Sequence, residues 1–497
     1  MNSSKKISRV VIAGGGTAGW MAAATISKTL GKHLDITLIE SDEIGTIGVG
    51  EATIPTMISF HRLLQIDEQE FMKAVNGSIK LGISFENWLR PGEKYIHSFG
   101  KTGKEFWAAD FHHFWLRGKQ ELGLETPFGD YCLELEAAKQ GKFAISKEPW
   151  INYAYHMDAT AYGKFLRCFS EKLGVKRVEG MIQKVNLHTD TGFIESILLK
   201  SGQVVEGDLF IDCTGFRSLL TEQALHTGFE DWSNWLPCDS AYATQETAVA
   251  PPIPLTRAIA HDHGWQWKIP LQNRVGTGLV YCSRYQSDES AKQTLLDNLE
   301  GEALFEPKLI KFRTGRRLKG WNKNCIAIGL SASFIEPLES TTIFLISSNL
   351  LRLVKFFPLN GINELLVNEF NQQSKEEVEL VRDFVVLHFH ATQRTDTAFW
   401  RHCRTMPIPE SLSRRINLFR ETGRISIKTG ELFLVDSWLQ VMMGQGIMPK
   451  EYHPIVDMVE KDELLRFFHG FRAKVEEEVA KLPMHGDFLK KFCPTEI

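Results

Sequence analysis

The stretch "SRVVIAGGGTAGWMAAATISKTL" (residues 8–30) reads as a buried strand, a glycine turn and then a helix whose alanine-rich first turns permit close packing. Gly14, Gly16 and Gly19 fall at GxGxxG spacing inside it. Glycines there allow a tight turn and let a pyrophosphate approach the helix N-terminus, where free N–H groups and the helix dipole favour an anion. "LDITLIE" (34–40) follows as a second strand and closes a βαβ unit. It ends in Glu40, about 20 residues past the last glycine, where an acidic side chain commonly takes ribose hydroxyls. A bare GxGxxG is weak; strand, helix and acidic residue in register make a dinucleotide-binding α/β fold the expectation.

Residues 181–213 ("MIQKVNLHTDTGFIESILLKSGQVVEGDLFIDC") alternate with period two, with turn signals at Gly192 and Gly202, and predict a meander of strands. "NCIAIGLSASF" (324–334) reads as another strand running into a loop, and from about 343 the pattern turns helical. No repeat, low-complexity segment or flexible linker divides the chain. The expected fold is mixed α/β: a discontinuous Rossmann-type nucleotide module (1–95, 150–220, 310–345) intertwined with a substrate-facing, partly helical module (96–149, 221–309, 346–497).

The 497 residues are 43% hydrophobic and 24% charged, with a net charge of −4, which suits a globular protein and lacks the electrostatic footprint of a nucleic-acid binder. Eight cysteines are scattered with no CxxC pair, which argues against a zinc site or a disulfide framework and for a reducing compartment. The start, "MNSSKKISRVVIAGGG", is basic and then apolar, as a signal peptide would be. Its apolar run of about five residues is short of a secretory core and leads straight into the glycine turn. No stretch approaches the roughly 20 apolar residues of a membrane span. A cytoplasmic protein, monomeric or homodimeric, is expected. The histidine pairs His112–His113 and His388/His390 lack metal-ligand spacing, and no metal is expected.

"GWQWKIPL" (264–271) places Trp265 and Trp267 two apart, hence on one face if the stretch is extended, with Pro270 marking a sheet edge or the strand's end. "GDLFIDCTGFRS" (207–218), with Asp212 and a glycine turn, resembles the second nucleotide-contacting segment of FAD-dependent monooxygenases and reductases. With "AGGGTAGWMAA", "GVGEATIP", "KLGISFENW", "YIHSFG", "YHMDATAYGKFL", "FIEPLESTTIFLI", "QRTDTAFWRHC" and "WLQVMMGQGIMP", these motifs run through nearly the whole chain. Together they resemble the flavin-dependent halogenases of the tryptophan-halogenase family.

That resemblance implies bound FAD, used as FADH2 from a separate NAD(P)H-dependent flavin reductase, with O2 and a chloride or bromide ion. Flavin contacts are implied for Gly14, Gly15, Gly16, Ala18, Gly19, Glu40, Ser41, Ile44, Ile47, Val49, Glu51, Ala52, Val185, Asp212, Leu330 and Ile343. Halide attack on a flavin hydroperoxide would give hypohalous acid, which travels to Lys80 and is held there by a hydrogen bond or as a haloamine. The resemblance makes Glu339 the second catalytic group, pointing toward the lysine across the substrate cavity, with Ser340 supporting its turn. Trp265, Trp267, Ile269 and Pro270 resemble a wall that keeps the substrate off the flavin, and His97 and Phe99 resemble the lining of the aromatic cavity. A snorkelling Lys80 and a solvent-facing Glu339 are the plain alternatives.

Two departures from the family pattern stand out. After Ser340, the family continues Thr-Gly, whose backbone N–H groups hold the halide; here Thr341 and Thr342 follow, which points to an altered halide site that favours bromide. The segment 422–449 is short and has no tyrosine with which to clasp an amino acid's charged ends, and Trp438 is left as a stacking wall. The expected substrate is a small aromatic of indole type without the amino-acid moiety, or a larger indole-bearing molecule. Alternatives are an FAD-dependent aromatic hydroxylase, or a flavin-binding protein without halogenating turnover.

Overall fold

The computed structural model describes residues 6–44, 50–104, 106, 109–146 and 148–495, and their chain divides into two compact units. The first comprises residues 1–76, 157–239 and 311–379; the second comprises 77–156, 240–310 and 380–497. Residues 77–95 and 150–156, grouped by the sequence with the nucleotide module, therefore fold with the second unit, and 221–239 and 346–379, grouped with the substrate-facing module, fold with the first.

In the first unit, a six-stranded sheet has the order Trp321–Asn322, Cys325–Ala327, Leu209–Asp212, Arg9–Ala13, Asp35–Glu40, Lys176–Glu179. All neighbours are parallel except the first pair. Arg9–Ala13 is central and reads VVIA because both faces are covered. The register aligns Ala13 with Asp212 and Ile39, and Asp212 with Ala327, so the glycine turn and the loops after Glu40, Asp212 and Ala327 all leave one end of the sheet. In open α/β sheets, that carboxyl end is where ligands bind.

The helix Thr17–Leu30 packs against Ala159–Lys172 and Thr342–Lys355, and its run of buried alanines allows the close approach. The expected meander is present as Ile182–Leu187, Ile194–Leu199 and Val204–Glu206, in antiparallel order. Ile197 and Leu199 pack with Val11 and Phe210 in one core cluster, each such burial being worth about 1.5–3 kcal/mol.

The second unit holds a seven-stranded mixed sheet in which Gly264–Pro270 lies between Leu255–His261 and Arg274–Tyr281, antiparallel to both. Pro270 thus marks a strand's end, and the strand is interior rather than at an edge. Leu255–His261 continues parallel to Gly82–Glu86, which pairs with Lys94–Ser98. The helix Glu364–His390 carries the chain from residues of the first unit into residues of the second. Among the described residues, no helix is long and apolar enough to cross a membrane.

Candidate active site

The nucleotide end is built by glycines. Gly14 has φ +106°, and a Cβ there would strike the carbonyl of Cys213; one on Gly15 would strike the Glu40 carboxylate, and one on Gly19 the carbonyl of Gly14. A Cβ on Gly16 would meet nothing within 4 Å. Gly14, Gly15 and Gly19 are therefore required by the fold itself, whereas Gly16 faces open space. Gly16 also caps the helix Thr17–Leu30 without any side-chain hydrogen bond, so the helix's first N–H groups remain available to an anion. Opposite Ala18, Gly329 (φ +69°) approaches so closely that a Cβ would come within 2.9 Å of the alanine methyl. These features fit the pyrophosphate of FAD.

The Glu40 carboxylate is engaged by its own chain: it accepts from the Trp20 indole at 3.2 Å and from the Arg177 guanidinium, with Arg167 at 3.5 Å. Asp212 is fully buried and saturated. One oxygen accepts from Thr214 N–H (3.0 Å), Thr214 O–H (2.6 Å) and Ser331 O–H (3.1 Å). The other accepts from Leu220 N–H (3.0 Å), Thr221 N–H (2.8 Å) and Thr221 O–H (2.8 Å). Its carboxylate shapes the turn beside the glycines instead of reaching outward.

Of the remaining expected flavin contacts, Ser41 closes a turn with Glu43 N–H at 3.3 Å, and Ile44 is half exposed. Burial pushes Glu51 up to about 7, and Ala52 is buried beside it. Val185 packs partly buried on the meander core, opposite Ile197. Leu330 lies in the one-turn helix Gly329–Ser331, and Ile343 is buried in the first turn of Thr342–Lys355. Ile47 and Val49 lie outside the described residues.

"EPLESTT" folds as a one-turn helix, Pro337–Glu339, then Ser340 in the left-handed region (φ +57°), then the helix Thr342–Lys355. Glu336 and Glu339 are both buried, so neither is a solvent-facing turn carboxylate. Thr341 and Thr342 line a small cleft with Ser333, Phe334, Leu345 and Asn349. Thr342, Leu345 and Asn349 share one helix face, and no side chain caps this helix's N-terminus.

In the second unit, Lys80 is fully buried at the end of Ser78–Lys80, its ammonium 5.2 Å from the centroid of Phe99. A snorkelling surface lysine is excluded. Trp265 and Trp267 do share a face, with centroids 6.2 Å apart. Trp267 lies over Gly278 and beside Ala258, its cross-strand partners, which are small enough to let an indole cross the sheet. On the opposite face, Lys268 pairs with buried Glu246 at 3.2 Å and with Glu300 at 3.3 Å. Ile269 is buried in the same strand.

His97 is buried, 5.5 Å from the Phe384 ring and 6.1 Å from Phe433. Trp438 is 1% exposed. Phe384 meets its ring edge-on at 4.8 Å, Arg415 lies over it at 4.2 Å, and its N–H donates to the Phe433 carbonyl at 3.1 Å. Trp438 is therefore core, not the open stacking wall expected of it. Sequence reasoning missed Arg177, Arg167 and Trp20 around Glu40, as well as the histidines around Lys80. Trp20 lies within the glycine motif, but its indole contact with Glu40 is long-range.

Residues 9–461 match the family model described as tryptophan halogenase. The chain belongs to that family. It is 38% identical to "Tryptophan 7-halogenase RebH" of Lentzea aerocolonigenes, over 84% of this chain and 82% of that protein. Among solved structures, it is similar to Xcc4156, a flavin-dependent halogenase from Xanthomonas campestris, with 52% identity, a TM-score of 0.97 and 99% of each chain covered. BrvH, a flavin-dependent halogenase from Brevundimonas sp. BAL3, is 42% identical with a TM-score of 0.94, over 98% of this chain and all of that one. As a member of this family, the protein is an oxidoreductase that uses a flavin, O2 and a halide.

Proposed function

We propose that the protein halogenates an indole-type arene at the expense of reduced FAD and O2, with Lys80 as the residue that presents the electrophile. The observation that carries this reading is Lys80 itself: a fully buried ammonium beside an aromatic ring, on a strand next to the tryptophan-bearing sheet. FAD, held by Gly14, Gly16, Gly19 and the first turn of Thr17–Leu30, supplies hypohalous acid when reduced and given O2 and halide. Lys80 donates a hydrogen bond to that acid, or carries the halogen as a haloamine, and so makes the halogen electrophilic toward the ring. Glu339 takes the ring proton or stabilises the cationic intermediate.

The cleft lined by Thr341 and Thr342 is the proposed halide site, with the uncapped helix N-terminus favouring an anion and Thr342's branched side chain favouring bromide. A reductase in the same cytoplasm supplies FADH2. The segment before Trp438 carries no tyrosine, and Arg415 nearby pairs with Glu431 at 2.6 Å. Free tryptophan's charged ends would then lack partners, at several kcal/mol.

Equal indole and tryptophan, with reductase, FAD and either bromide or chloride, should yield mainly haloindole, and more with bromide. Dominant halotryptophan would overturn the substrate assignment. Equal use of chloride would overturn the halide assignment alone, and hydroxylated product without halogen would overturn both.

A further inference from the structure

Ser78–Lys80 pairs antiparallel with the strand Ala154–Asp158, in register Ser78↔His156 and Lys80↔Ala154. Ser78 and Lys80 therefore project from the same face of the ribbon, together with His156 and with Ala154, whose methyl leaves room beside the lysine. All four are buried.

The hydrogen-bond directions on this face can be read without ambiguity. Ser78 Oγ lies 2.5 Å from the carbonyl of Pro270, which can only accept, so the serine's single proton points there. Ser78 Oγ must then accept from His156 Nδ1–H at 3.0 Å. A neutral His156 has a bare Nε2, which accepts from Thr256 O–H at 2.8 Å. Burial first, and then the Lys80 ammonium and His485, keep His156 far below the ordinary histidine range. Further along the strand, Ile79 N–H donates to His485 Nε2 at 3.1 Å, and His485 Nδ1–H donates to the Pro252 carbonyl at 2.7 Å. Leu81 N–H donates to the Pro254 carbonyl at 2.8 Å, and Phe99 N–H donates to Leu81's carbonyl at 2.9 Å.

We propose that Ser78 and His156 are positioning residues for Lys80: the string Thr256→His156→Ser78→Pro270 ties the strand that carries the lysine to the last residue of the strand that carries Trp265 and Trp267. The ammonium and the tryptophan face are thereby held in one fixed relation. Neither residue touches the reacting atoms. The inference rests on the reading of Lys80 as the group that presents the electrophile.

The two ends of the string can be cut separately. An asparagine amide overlays imidazole Nδ1, so His156→Asn keeps the donor to Ser78, whereas a glutamine amide overlays Nε2, so His156→Gln keeps only the link to Thr256. The readout is the fraction of reduced flavin recovered as halogenated arene, against hypohalous acid caught by a scavenger. Ser78→Ala and His156→Gln should shift that fraction toward free hypohalous acid on the order of tenfold, because small misplacements of a reacting group cost large factors in rate. Ser78→Thr and His156→Asn should stay near wild type, and flavin oxidation should be unchanged in all four. In flavin-free protein, the rate of Lys80 carbamylation by cyanate, read by peptide mass spectrometry, should change in Ser78→Ala and His156→Gln alone.

Thermal melts identify any variant that fails to fold, and the remaining variants still test each link. Wild-type recovery and carbamylation in both Ser78→Ala and His156→Gln, with Lys80→Ala inactive, would overturn this inference and leave the role of Lys80 standing. Wild-type halogenation by Lys80→Ala would overturn that role itself.

Discussion

Asp212→Asn isolates what a saturated buried carboxylate does for the turn beside the glycines. Each oxygen of Asp212 accepts three hydrogen bonds, three of the six from backbone N–H groups: Thr214, Leu220 and Thr221. An asparagine has one acceptor oxygen and one donor nitrogen, so it must choose which set to abandon. The less costly orientation turns its oxygen toward Leu220 and Thr221 and its NH2 toward Thr214 and Ser331. The Ser331 hydroxyl can then turn to the Gly215 carbonyl, already 3.1 Å away, and the Thr214 hydroxyl can accept. Thr214 N–H has no such alternative and loses its acceptor.

One orphaned N–H costs about 1–3 kcal/mol, and replacing charge-assisted bonds with neutral ones adds to it, for a total of about 3 kcal/mol. Asp212→Ala orphans all three N–H groups and should cost clearly more. Urea unfolding of flavin-free protein, followed by circular dichroism, reads both. An asparagine variant within about 0.5 kcal/mol of wild type, the range of an ordinary surface change, would refute the reasoning.

Gly16→Ala should cost only the roughly 1 kcal/mol of an alanine at a helix N-cap but weaken FAD binding at least tenfold, while Gly19→Ala should destabilise the flavin-free protein far more; FAD titration and thermal melts separate the two, and a Gly16→Ala protein as destabilised as Gly19→Ala would contradict the assignment. Gly278→Ala places a methyl against both the Trp267 ring and the Tyr242 carbonyl and should cost about 1–3 kcal/mol, so an unchanged melting temperature would contradict the packing of Trp267 over Gly278. Burial lowers His61 to about 3 and His485 to about 4, so both are neutral in the fold and their contribution is full above the ordinary histidine value near 6.5. It is lost as pH falls from there toward the folded values, at up to about 1.4 kcal/mol per unit for each. Urea midpoints should fall between pH 6.5 and 5, and a flat profile would sink this point.

The βαβ unit was legible because its signals are local: apolar run, glycine spacing and acidic terminus lie within one continuous segment. The meander and the shared face of Trp265 and Trp267 were legible from period two. Trp438 was misread because a lone tryptophan near a cavity motif looks the same whether it faces substrate or is closed in by Phe384 and Arg415, which are distant in sequence. Asp212 was read as a nucleotide contact for a similar reason: its donors from Leu220, Thr221 and Ser331 depend on a loop conformation that spacing does not encode. The register that sets His156 opposite Ser78 is a long-range pairing, and a shift of one residue would have turned both away. Residues 77–95 were grouped with the wrong unit because motif order along the chain says nothing of which sheet a strand joins.

The central claim is that Lys80 turns hypohalous acid into an arene-directed reagent. Its most direct test is Lys80→Ala supplied with reductase-generated FADH2, O2, bromide and indole, with a hypobromite scavenger present and bromoindole quantified by mass spectrometry. Flavin oxidation at the wild-type rate, hypobromite trapped by the scavenger, and no bromoindole above background are expected. Bromoindole at near wild-type yield, with the scavenger in excess, would contradict it.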